Sequence, residues 1–222
     1  MRGEEFAPGA GFSINELNRR LEGIDSRCAE LARAASLVGY WWSPMSNRIV
    51  PEVVARLANG LDRSAGVDAW LDLYLYPALL VLYANGLGAV IGHREAQLGS
   101  LLGSPTFRER GEWTPLVTGV NATTPVAHER AKQLPGFDRH HTPMSDRLEQ
   151  VLAPLLSDLE PDPAAIERDF DRFEYLVGLV LFDTSRQIRG DDAWAPVGRF
   201  YWRRESGEAI EAGRVPDLLE KL

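Results

Sequence analysis

The chain has 222 residues, 45% of them apolar, one cysteine and a net charge of −8. That length supports one substantial core, as a single domain with at most a small appendage. The acidic balance, with an isoelectric point near 5.1, argues against a nucleic-acid binder, whose phosphate contacts need a concentrated basic face. It also argues against adhesion to anionic membranes. Cys28 alone permits no internal disulfide, so cytoplasmic residence is the expectation. The opening MRGEEFAPGAGF has no apolar run of signal-peptide length.

In chain order, residues 1–12 read as a loose lead-in, 13–204 as one α-helical domain and 205–222 as a tail. Ser13-Ile14-Asn15-Glu16 is a capping box, with Phe12 as its staple residue. The helix it opens carries Ile14, Leu17, Leu21, Ile24, Cys28, Leu31, Ala35 and Val38 at alternating spacings of three and four. That is an a/d seam. It can pack on another helix of the chain, or form the seam of a dimer or of a docked partner. Cys28 falls on the seam as a small core residue. Ser43-Pro44 supplies an N-cap and first-turn pair for a second helix. That helix runs to about Ala58 and stops at Asn59-Gly60.

Trp70–Leu102 is the stretch around which the rest is arranged. No charge occurs from Leu73 to Gly92, and Asn85 is its one strongly polar side chain. The run is long enough to span a bilayer, but Pro77, the glycines at 86, 88 and 92, and the lack of flanking Lys/Arg clusters point to a core helix. Pro77 bends the helix or restarts it. The glycines loosen its second half, Gly92-His93-Arg94 is a corner, and Arg94–Leu102 continues as a short helix. Gly103–Thr124 reads as a long irregular loop with a short strand or turn at Trp113–Val120.

Thr124-Pro125 opens a short helix that ends at Leu134-Pro135-Gly136. Thr142-Pro143 starts the next, through Leu156. Its first turn echoes Ser43–Ile49, which convergent capping chemistry explains. Asp162-Pro163 opens the last long helix, to about Arg186, with Ile166, Phe170, Phe173, Val177 and Leu181 inward. The acidic run Glu167–Glu174 could supply a general-acid pair, but the pattern favours a solvated face of that helix. Trp194–Arg204 is aromatic and basic, and reads as an extended segment laid across the helices.

No motif for chemistry emerges. The histidines at 93, 128, 140 and 141 lack paired metal-ligand spacing, and no CxxC occurs. No phosphate-binding glycine loop and no nucleophile elbow is present. No catalytic residue, metal or cofactor is therefore assigned. Trp194, Arg199, Phe200, Trp202 and Arg203 stand out as anchors for a protein partner. The rival reading is a ligand-binding protein or enzyme with a pocket between the central hairpin and the Asp162 helix. Asp138, Arg139, His140 and His141 would line that pocket.

Three phrases, LYLYPALLVLYANGLGAVIG, FDRFEYLVGLVLFD and WAPVGRFYWR, resemble helical C-terminal regions of large actinobacterial multidomain proteins. Those proteins carry NTPase, Sir2-like or related effector domains of the kind found in anti-phage defence. The resemblance spans Trp70 to Arg204 and rests on aromatic-rich phrases, so it transfers no functional residue. It implies a sensor, oligomerisation or partner-docking module. The expectation is an all-α bundle of about seven to nine helices around a buried helical hairpin. Its role would be recognition of a protein partner or of a second copy, not catalysis.

Overall fold

A computed structural model describes residues 9, 11–60, 66–103, 107–109, 112–189, 195 and 198–205. The fold is all-α. Helices α1 (Ile14–Trp41), α2 (Ser46–Asn59), α3 (Asp68–Leu73), α4 (Tyr76–Ile91) and α5 (Leu98–Leu102) lead to a two-stranded ribbon, β1 (Phe107–Glu109) with β2 (Glu112–Thr114). There follow α6 (Leu116–Gly119), α7 (His128–Ala131), α8 (Pro143–Leu156), α9 (Pro163–Arg189) and α10 (Arg199–Glu205). The ribbon is antiparallel, with Arg108 opposite Trp113. One continuous core joins Leu17 of α1 to Leu181 of α9.

Helix α4 is the axis of the fold. Every residue from Tyr76 to Val90 is buried, as a helix apolar on all faces requires. Asp68–Ile91 meets the length and hydropathy test for a membrane span, yet 89% of that window is covered by the chain itself. Pro77 stands in the first turn of α4, where its missing N–H breaks no hydrogen bond. The stretch therefore restarts after α3 and is not kinked.

The glycines of α4 do not loosen it. They let neighbours reach its backbone. A Cβ on Gly88 would lie 2.0 Å from the Ser36 carbonyl oxygen of α1, and one on Gly39 of α1 would lie 2.1 Å from the Asn85 carbonyl oxygen. Gly92 meets the Tyr40 carbonyl oxygen in the same way, at 2.6 Å. Asn85 Nδ2 donates to the Ala35 carbonyl at 2.9 Å, which satisfies the polar side chain inside the apolar run. On another face, Gly86 makes room for the Phe173 ring of α9, 2.0 Å from where a Cβ would stand. At the end of α4 the left-handed residue is His93, φ 55°, and not a glycine. Gly92 is needed there for close approach.

Several sequence expectations are refined. Ser13 Oγ accepts from Glu16 N at 3.2 Å, but the Glu16 carboxylate turns to Arg19 and Arg20. Phe12 lies against Trp70, ring centroids 5.2 Å apart. The a/d seam holds only through the first half of α1. Leu17, Leu21 and Ile24 are buried, then the inward face shifts to Ala32, Ala35, Ser36 and Gly39. Leu31 and Val38 are left exposed. A straight helix of 3.6 residues per turn drifts off a strict seven-residue repeat, and α4 selects the small residues.

Helix α2 starts at Ser46, after a turn in which Ser46 N donates to the Ser43 carbonyl. The short helix after the loop is the single turn α7 and does not begin at Thr124-Pro125. The loop itself holds the ribbon and α6. The segment expected to be extended is helical over Arg199–Glu205. The lead-in 1–8 and the tail 206–222 lie outside the described residues.

Overpacking at a backbone contact costs about 3 kcal/mol when neither helix can yield. G88A and G39A are each expected to lower stability by about that amount in chemical denaturation. G99A meets open space and is expected to be neutral or to stabilise by up to about 1 kcal/mol, because glycine is a poor helix former.

Candidate functional site: a buried carboxylate nest and its cavity

On α9, Glu167, Asp171 and Glu174 follow at spacings of four and three, which places them on one helix face. That face turns inward over its second half. Asp171 and Glu174 are buried, so the solvated face expected here is corrected. The reason is Arg199, 3% exposed at the start of α10. Its Nε donates to Asp171 Oδ1 at 2.8 Å and its Nη2 to Glu167 Oε1 at 3.3 Å. Nη1 faces Glu149 at 3.4 Å and Asp146 at 3.7 Å, both on α8. The guanidinium also lies 4.9 Å from the centroid of the Phe170 ring. A planar five-donor cation suits such a multi-carboxylate site better than an ammonium would.

Glu174 sits one turn further along, 4% exposed. Oε1 accepts from Ser145 Oγ at 2.6 Å and from the Tyr83 hydroxyl at 3.3 Å. Oε2 accepts from the Arg199 backbone N–H at 3.2 Å. Burial pushes its pKa up to about 7, against which the Ser145 hydroxyl, the Arg199 backbone N–H and the Arg199 charge work. Burial and the adjoining Glu174 carboxyl push the Tyr83 hydroxyl well above its ordinary range.

A cavity of about 90 Å³ opens beside Glu174. Its walls come from Tyr83 on α4, Val126 and Ala131 around α7, Met144 and Ser145 on α8, and Val177 on α9, and Gly198 completes the lining. Thr123, His128 and His141 line it too and are exposed to solvent. The position between the central helix and the Asp162 helix agrees with the pocket reading from sequence. The residues that line it differ.

His141 lines the cavity and stacks on Trp202 of α10, centroids 4.5 Å apart. His140 points elsewhere, its Nδ1 2.8 Å from Asp146 Oδ2. Asp138 and Arg139 are exposed, paired loosely at 3.9 Å. Of the expected partner anchors, Arg199 faces inward and is unavailable to a partner, because the chain's own carboxylates enclose it. Phe200 is half-buried edge-on to Tyr175. Trp202 keeps an exposed flank. Trp194 and the Arg203 side chain lie outside the described residues.

Sequence reasoning missed Ser145 and Tyr83 and placed Glu174 in a solvated run. The signal for Glu174 was its spacing of four and of one from the core residues Phe170 and Phe173, which puts it partly on the apolar stripe. Nothing in the sequence marked Ser145 or Tyr83 as its partners.

A second buried polar group ties α1, α4 and α8 together. The Tyr76 hydroxyl donates to Asp25 Oδ1 at 2.7 Å, and Arg147 Nη2 closes on Asp25 Oδ2. Burial raises the Asp25 pKa despite the Arg147 charge. This group does not line the cavity beside Glu174 and serves to orient helices. Among the described residues, no group of three or more His, Cys, Asp or Glu side chains is placed to hold a metal ion.

Away from the nest, the outer flank of α1 carries exposed Leu31, Leu37, Val38 and Trp41, continued by Met45 and Ile49 at the start of α2. Trp41 is 73% exposed. No family model matches the chain, and no curated protein or solved structure matches it.

Glu174 binds a proton more readily in the folded chain than in the unfolded one, so ionising it opposes folding. Its contribution is fully present below about pH 4.5 and is lost as pH rises to about 7, at up to about 1.4 kcal/mol per unit. Urea denaturation across that window should show stability falling with pH, with a shallower slope in E174Q. The rise at Asp25 acts in the same direction, so part of the slope remains. R199A should cost about 3–5 kcal/mol, since it leaves buried carboxylates without their cation. Released Trp202 should then shift its fluorescence to the red.

Proposed function

We propose that the protein is a non-enzymatic helical module that self-associates through the outer flank of α1. One observation carries the reading. Leu31, Ala34, Val38 and Trp41 follow at spacings of three, four and three on one helix, and all four are exposed. This is an a/d stripe without a partner among the described residues. Isolated exposed apolar residues are ordinary, but a contiguous stripe extended by Met45 and Ile49 is the mark of an interface.

A second copy fits it best. In an antiparallel, two-fold pairing Trp41 of one chain covers Leu31 of the other, and the contact closes on itself. Trp41 supplies the large, rigid anchor that dominates such interfaces. The stripe is short, so the association should be reversible and concentration-dependent rather than obligate. The resemblance of the central and C-terminal phrases to accessory regions of actinobacterial defence proteins supports a setting in a bacterial, cytoplasmic signalling or defence assembly. There the module would act as sensor or assembly part.

Light scattering on eluting protein tests this. The expected result is a rise from monomer toward dimer mass over the micromolar to millimolar range, abolished in V38E and weakened at least tenfold in W41A. A strict monomer at the highest concentration, or a V38E variant that associates like the wild type, overturns it.

A further inference from the structure

The cavity beside Glu174 has a chemistry that self-association does not use, and it shares no residue with the α1 stripe. Its polar end is built from three side chains: the Glu174 carboxylate and the Ser145 and Tyr83 hydroxyls, each hydroxyl donating its proton to Glu174 Oε1. Once those protons are committed, lone pairs on the two hydroxyls remain as acceptors, one on Tyr83 being taken by the Ala122 backbone N–H. Every donor that reaches Glu174 is neutral: two hydroxyls and one backbone N–H. The Arg199 guanidinium points away, toward Asp171, Glu167, Glu149 and Asp146. The opposite walls, Val126, Ala131, Met144 and Val177, are apolar. A volume of about 90 Å³ equals that of about three waters, or of one organic molecule of about five heavy atoms.

We propose that this cavity binds a short aliphatic primary ammonium ion, its three N–H groups on Glu174, Ser145 and Tyr83 and its methylenes against Val126, Met144 and Val177. An ammonium has three donors and no acceptor, which matches an end of the cavity where an ionised Glu174 and two hydroxyls with committed protons meet. The alkyl portion accounts for the apolar walls, which a bare metal ion would leave unused. Entry is past Thr123, His128 and His141, the exposed part of the lining. Gly198, next to the residue that tethers α10, closes the wall. A Cβ there would meet Glu174 Oε2 at 2.8 Å.

The charged and titratable groups facing Glu174 are Asp171 on its own helix, Arg199 on α10, Tyr83 on α4, and His128 and His141 across the cavity. Ligand pairing with the ionised carboxylate must displace a proton below about pH 7. Affinity should therefore rise about tenfold per unit as pH approaches 7, then level off.

The full chain, labelled with nitrogen-15, is titrated with n-butylamine, and amide shifts are followed by NMR. The expected result is saturable shifts at Ser145 and Gly198 with a Kd of about 1 mM or tighter at pH 8. The neutral analogue 1-butanol should give none, and binding should weaken at least tenfold at pH 6. V177F and A131L, which fill the cavity from its apolar side and keep Glu174, should lose the shifts while remaining folded. Since E174Q also disturbs the Arg199 N–H contact, these two variants carry the decision. No saturable shift below about 10 mM, equal binding of 1-butanol, full competition by potassium, or unchanged binding in both variants overturns the proposal. None of these outcomes bears on the oligomeric state.

Discussion

The structure depends on backbone-to-backbone contact between α1 and α4. Where Gly39, Gly88 and Gly92 face carbonyl groups of the other helix, no side chain intervenes. Dispersion then acts between main-chain atoms at short range, and the Asn85 amide adds a hydrogen bond across the seam at Ala35. Because α4 is enclosed on every side, its neighbours α2, α8 and α9 take their positions from it. The Phe173 ring on Gly86 sets the distance of α9, and so the depth at which Glu174 lies.

That depth governs the electrostatics. Glu174 and Asp171 belong to a helix face that would be solvated if α9 stood alone. Held against α4 and α8, the same face becomes a nest of carboxylates around one guanidinium. A buried ion cluster of this kind contributes little net stability, since desolvation offsets attraction. Its effect is placement: Arg199 fixes where α10 begins, and Trp202 then lies on His141. The cavity is bounded by α4, α8, α9 and residues 121–131, and Gly198, just before α10, completes its wall.

The exposed stripe on α1 follows from the same contact. Close approach demands small residues, so the inward face of the helix passes through Ala32, Ser36 and Gly39. The large residues Leu31, Val38 and Trp41 are turned to the outside. One helix thus presents two apolar faces, a narrow one sealed by α4 and a broad one left uncovered by the described residues.

The sequence alone determined the all-α class, the central position of Trp70–Leu102, the corner at 92–94 and the extents of α1, α8 and α9, and left a bend or a restart open at Pro77. Capping residues and apolar periodicity are local properties, and they act over a few residues whatever lies around them. Tertiary structure decided which side of α1 is buried, because Leu31 and Ser36 can be ranked only once α4 is present. It decided that Arg199 turns inward and that Glu174 is desolvated, since those outcomes depend on residues 25 to 91 positions away in the chain. Hydrophobic pattern shows that a face is covered. It does not show which partner covers it, nor how close that partner comes.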